Sequence, residues 1–127
     1  FWNRPQWDRC ALRAELRDVY HRAGPEFPAL PGPMHPEADR APELWGSWES
    51  EIGETTEFDA PEVRVYPWAR EYLTEQYVRL LQTHSDHILL GPDRLRSLLE
   101  AVADVIDRYG GVLRLPYATR LCLARAA

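Results

Sequence analysis

The chain contains no lysine, and all 15 of its basic residues are arginine. The bland reading of the pattern is codon bias in a GC-rich genome, but the chemical consequence holds in any case. Schiff-base catalysis and P-loop phosphate binding both need an amine or its ammonium, so both are excluded. Cysteine is nearly as scarce. Cys10 and Cys122 stand far apart in unlike contexts, and two such residues make neither a disulfide framework nor a zinc site. No apolar run reaches the roughly 18 residues of a membrane span, and no charged-then-apolar signal segment stands at the front. The expectation is a soluble, cytoplasmic protein without membrane contact. Positive charge is also in deficit. Twenty acidic residues against 15 basic ones leave a net charge of -5, whereas binders of the phosphate backbone carry a basic surplus to displace counterions. That balance argues against a nucleic-acid partner.

What remains is a chain of 127 residues, 45% hydrophobic and 11% aromatic, long enough for one domain with a real core and too short for two. Asp8 is a good N-cap for a first helix to about Arg22, with Leu12, Leu16, Val19 and Tyr20 on one face. The stretch GPEFPALPGPMHP after it is too rich in proline for regular structure and reads as an extended loop. A second helix is expected from about Pro36 to Glu51, edged by Leu44, Trp45, Trp48 and Ile52. A strand begins at Glu62, and Thr74 can cap a short helix carrying Tyr77, Leu80 and Leu81.

The clearest periodicity runs from Pro92 to Tyr109, where Leu95, Leu98, Leu99, Val102, Val105 and Ile106 form one stripe and Gly110-Gly111 closes the helix. From Val112 the period changes to two, with Leu113, Leu115, Tyr117, Thr119, Leu121 and Leu123 on one face. Pro116 interrupts that final strand and predicts a bulge or a locally unpaired position. The strand near 62 to 70 and the one at 112 to 125 are expected to pair antiparallel with helices across one face, as in the closing portion of an α/β sheet.

Four stretches carry a resemblance: FWNRPQW at the front, VRVYPWAREYLTEQYVRLLQTHSDH, the helix ending VIDRYGG, and the final VLRLPYATRLCLARA. Together they resemble the C-terminal half of class I S-adenosylmethionine-dependent methyltransferases, in the small-molecule branch described as type 11 or trans-aconitate-like. The resemblance implies a Rossmann-like sheet whose last strand runs antiparallel between the fifth and sixth. Phe1-Trp2-Asn3 would then be the end of the fifth strand, Val63 to Trp68 the sixth and Val112 to Ala124 the seventh. It also implies that the cofactor-binding half is absent, because no G-x-G-x-x-G or G-x-G-x-G occurs in the sequence. S-adenosylmethionine is the implied cofactor, with no residue of this chain assigned to it. A long final strand beside so short a neighbour invites pairing with another chain, so a homodimer, a strand swap or a separately supplied N-terminal half is expected. The alternative is a stand-alone binding or oligomerisation module that has lost the cofactor. A third reading, a helical interaction domain, requires the final segment not to be a strand.

Candidate chemistry is sparse. Trp2, Asn3, Arg4, Tyr66, Trp68 and Arg70 combine apolar walls, polar tips and arginine forks that suit a carboxylate-bearing small molecule. The resemblance places the stretch Thr83-His84-Ser85-Asp86-His87 beside the acceptor, with Ser85 as a contact and His87 as a general base. Ordinary packing and a helix C-terminus near His84 account for the same residues without chemistry. A metal there needs a third ligand, and on a regular backbone Asp86 points away from His84 and His87, so none is expected. The serines lack the context of a nucleophile elbow.

Overall fold

The computed structural model describes residues 1–7, 10–24 and 48–127. Its elements run β1 (Trp2–Pro5), α1 (Ala11–Ala23), α2 (Trp48–Gly53), β2 (Glu62–Leu73), α3 (Thr74–Leu81), α4 (Ser85–Ile88), α5 (Pro92–Arg108) and β3 (Val112–Leu123). The architecture is α/β: an antiparallel sheet with helices packed on it. The final segment is a strand, which removes the reading as a helical interaction domain.

The strand order is β1-β3-β2. β3 lies in the middle and runs antiparallel to both neighbours, so β1 and β2 are parallel to each other. Along β2 the register is unbroken from Glu62 opposite Leu123 to Leu73 opposite Val112, while β1 reaches only from Arg120 to Tyr117. On the β1 side, Val112–Leu115 therefore extends past that short strand, as its length predicts.

Of the two outcomes expected at Pro116, a bulge does not occur, since Ala69 stands opposite it in unbroken register, while on the β1 side the pairing ends at Tyr117. The Gln6 amide donates to the Pro116 carbonyl at 2.8 Å, so this residue turns its backbone toward β1, and its missing N–H costs the long β2 ladder nothing. By the same alternation Pro67 turns its nitrogen away from β3, along the edge of β2 that pairs with no strand among the described residues. Both prolines lie where the sheet can do without a donor.

The element ends differ from expectation in instructive ways. α1 begins at Ala11 with Cys10 as its extended N-cap; Asp8 lies outside the described residues. Thr74 does not cap α3 but is its first residue, and the cap is Leu73, whose amide donates to the Gln76 side chain at 3.0 Å. The Thr74 hydroxyl instead donates to Asp107 on α5. Of the expected helix from Pro36 to Glu51, the part from 36 to 47 lies outside the described residues, and α2 continues past it to Gly53.

The core forms between one sheet face and the helices. Leu16, Val19 and Tyr20 of α1, Leu98, Leu99, Val102, Val105 and Ile106 of α5, and Tyr77 and Leu81 of α3 close over Tyr72, Leu113, Leu115 and Tyr117. Each such aliphatic or aromatic side chain contributes about 1.5–3 kcal/mol on leaving water. Gly110 and Gly111, with φ of +98° and +73°, reverse the chain between α5 and β3 in a conformation that side-chain-bearing residues avoid.

Candidate functional site

Pleating places residues of opposite parity on opposite faces of the sheet. The face carrying Tyr117 and Thr119 therefore carries Tyr66, Trp68, Arg70 and Tyr72 of β2 and Asn3 of β1. Helices cover the Tyr72–Leu113 end of this face. Beyond it Trp68 and Tyr66 remain 40% and 48% exposed.

At that open end a chain of hydrogen bonds crosses all three strands. Trp68 Nε1 donates to Thr119 Oγ1 at 2.8 Å, and the Thr119 hydroxyl donates to Asn3 Oδ1 at 2.6 Å. The Trp68 ring stacks on Tyr117 with centroids 4.4 Å apart. Tyr117 and Tyr72 share a hydroxyl bond of 2.8 Å, and Arg70 lies over the Tyr72 ring at 4.9 Å from its centroid. Burial and the Tyr72 hydroxyl push the Tyr117 phenol well above its ordinary range, so at neutral pH it is a neutral hydroxyl. The result is an aromatic platform with the Asn3 amide and the Thr119 hydroxyl in one cross-strand row and the Arg70 guanidinium further along the same face, opposite Leu115.

Of the pocket residues expected from the sequence, Asn3, Tyr66, Trp68 and Arg70 come together on this face. Trp2 and Arg4 lie in β1 opposite Arg120 and Ala118, and their side chains lie outside the described residues. Thr119, which joins Trp68 to Asn3, escaped sequence reasoning as a site residue. It shares the period-two face with Tyr117, and its pairing with Tyr66 was the missing information.

His87 and Ser85 belong to the helical layer. α4 is a single turn whose N-cap, His84, is extended with φ -81° and ψ 128°. His87 is 4% exposed. Its Nδ1 meets Asp86 Oδ1 at 2.7 Å, its Nε2 meets the Tyr20 hydroxyl at 2.7 Å, and its amide donates to Asp86 Oδ1 at 2.8 Å. A general base must bring a free nitrogen within hydrogen-bond reach of the proton it takes. Here the protein itself occupies both ring nitrogens, which counts against that role for His87. Ser85 is exposed at the start of the turn.

Burial opposes charge on Asp86, but its hydrogen bonds from the His87 ring and amide outweigh that cost and hold the carboxyl below its usual range. Burial, and then the nearby Asp86 carboxylate, push the Tyr20 phenol far up. For neutral His87 this fixes the direction of the bonds: Nδ1–H donates to Asp86, and the Tyr20 hydroxyl donates to Nε2. His84, lowered by partial burial and by His87, stands with its ring centroid 5.4 Å from that of His87.

The expectation that Asp86 points away from the two histidines is not met. One ligand atom from each of His84, Asp86 and His87 lies within 4.8 Å of the others. The backbone is not regular here: an extended His84 runs straight into a helical turn, which folds its ring back toward His87.

Among the described residues, no helix is long and apolar enough to cross a membrane. Comparison with known protein families, with curated proteins and with solved structures finds no match.

Proposed function

We propose that the chain forms the acceptor-side part of an S-adenosylmethionine-dependent methyltransferase acting on a small molecule, with the cofactor held by a segment outside these 127 residues. The observation that supports this best is the strand arrangement. A long last strand lies between two mutually parallel strands and runs antiparallel to both, which is the ending that the resembled sheet calls for.

Methyl transfer from a sulfonium needs alignment more than it needs a catalytic motif, since the donor is already activated. The open sheet end is suited to that task. Trp68 stacked on Tyr117 offers a rigid wall, the Asn3 amide and the Tyr66 hydroxyl offer polar anchors, and Arg70 offers positive charge to an acidic acceptor. The partner in this reading is a small molecule, and the cofactor lobe comes from a segment encoded upstream of Phe1.

The role of the face is tested with the chain joined to the coding sequence upstream of Phe1, by following transfer of a labelled methyl group from S-adenosylmethionine into a protein-free small-molecule extract. Trp68→Ala is expected to lower transfer at least about tenfold while leaving cofactor affinity unchanged, as loss of acceptor alignment requires. Undiminished transfer by that variant contradicts the assignment of the acceptor to this face.

A further inference from the structure

From the geometry of the α4 turn we infer that His84, Asp86 and His87 form a binding site for one zinc-type divalent cation, supported from behind by the Tyr20 hydroxyl. The site is separate from the sheet face and does not depend on the methyl-transfer reading.

The donor set comes first. Two imidazoles and a carboxylate are the ligands that borderline metals such as zinc prefer, and three protein donors leave a coordination position for water. Among the described residues this is the one group of three whose ligand atoms converge, all lying within 4.8 Å of one another. With zinc–ligand bonds of about 2.0–2.1 Å, a tetrahedral site sets its donors about 3.3 Å apart. His87 Nδ1 and Asp86 Oδ1, now 2.7 Å apart, would spread slightly around the ion. His84 is the exposed member of the three, so its side chain would supply the remaining adjustment.

The support around His87 is that of a metal-ligating histidine. Such a ring commonly has its second nitrogen held by a hydrogen bond that fixes orientation and tautomer, and here Tyr20 meets Nε2 at 2.7 Å from the core end of α1. When the ion takes Nδ1, the neutral ring passes from the Nδ1–H to the Nε2–H tautomer. The Tyr20 hydroxyl then turns from donor to acceptor, and no proton has to leave the site. Asp86 exchanges the Nδ1 proton for the cation and keeps its bond from the His87 amide. The ion would thus fasten the 84–87 turn to a buried ring, leaving water at the open position.

The test is calorimetric titration of zinc chloride into the full 127-residue chain in a non-coordinating buffer, repeated with His84→Ala, Asp86→Asn and Tyr20→Phe. One zinc per chain is expected, with a Kd of about 10 µM or tighter. His84→Ala and Asp86→Asn should each weaken binding at least about tenfold, and Tyr20→Phe by about 10–100-fold, the usual effect of removing an outer partner. His84 is exposed, so His84→Ala should melt in the metal-free state at the temperature of the parent chain, which separates lost binding from lost folding. In the parent chain labelled with ¹⁵N-histidine, zinc should displace the His87 Nδ1 resonance while Nε2 gains the proton. The absence of saturable heat, undiminished affinity in His84→Ala, or zinc binding that leaves the His87 Nδ1 resonance unmoved would overturn the inference.

Discussion

Single residues decide both clusters. Thr119 is the link of the sheet face, because one hydroxyl accepts from Trp68 and donates to Asn3. Thr119→Val keeps the shape and removes both bonds, so urea unfolding should show a loss of about 0.5–1.5 kcal/mol per bond, with the exposed Trp68 ring losing its fixed orientation. Leu115 is 1% exposed in the packed layer. Leu115→Ala should cost about 2–5 kcal/mol, measured in the same way. The legibility of these positions differs for a physical reason. Leu115 was readable because burial follows a period of two. The convergence of His84, Asp86 and His87 was not, because it depends on a break in the backbone at His84 that no repeating pattern announces. Tyr20 was read as a core face residue and is one, but its hydroxyl partner stands 67 positions away.

At the scale of elements, the sequence marked the types well and the ends poorly. The stripe of α5 and the alternation of β3 were both visible as periods. The start of α1 and the cap of α3 were not; Thr74 bonds the Asp107 side chain of α5 at the surface and leaves its own helix end to Leu73. Pro67 makes an element-scale prediction. Its nitrogen faces away from β3, on the edge of β2 that has no partner strand among the described residues, and a proline there blocks pairing with another strand. Pro67→Val restores a donor in the middle of that edge, and sedimentation velocity should show more self-association than in the parent chain.

The reversal from α5 into β3 makes another. Gly110 has a φ of +98°, and Gly110→Ala should lower stability by about 1–2 kcal/mol through left-handed strain, seen as a lower melting temperature. The link between α1 and α5 carries a pH dependence. Glu15 accepts from Tyr109 and Arg108, and these bonds hold its carboxyl below the usual range. A carboxyl depressed by folding stabilises above its unfolded pKa of about 4.3 and loses that contribution as pH falls through the folded value. Glu15→Gln should therefore lower the melting temperature at neutral pH and converge with the parent chain in acid.

At the scale of the whole molecule, an α/β sheet with packed helices was legible, because runs that switch between the helical and the alternating period fix layers. The central place of β3 came from the resemblance and not from periodicity, since alternation shows which face is buried but not which strand lies alongside. The proposed function is less legible because a site of that kind would work by position, and position is a property of pairing and register. The most direct measurement is calorimetric titration of S-adenosylmethionine and S-adenosylhomocysteine into two proteins, the 127-residue chain and the same chain extended by the coding sequence upstream of Phe1. The account predicts no saturable heat from the first and micromolar binding, about 8 kcal/mol, by the second. Saturable binding by the first, or none by the second, would contradict the proposal.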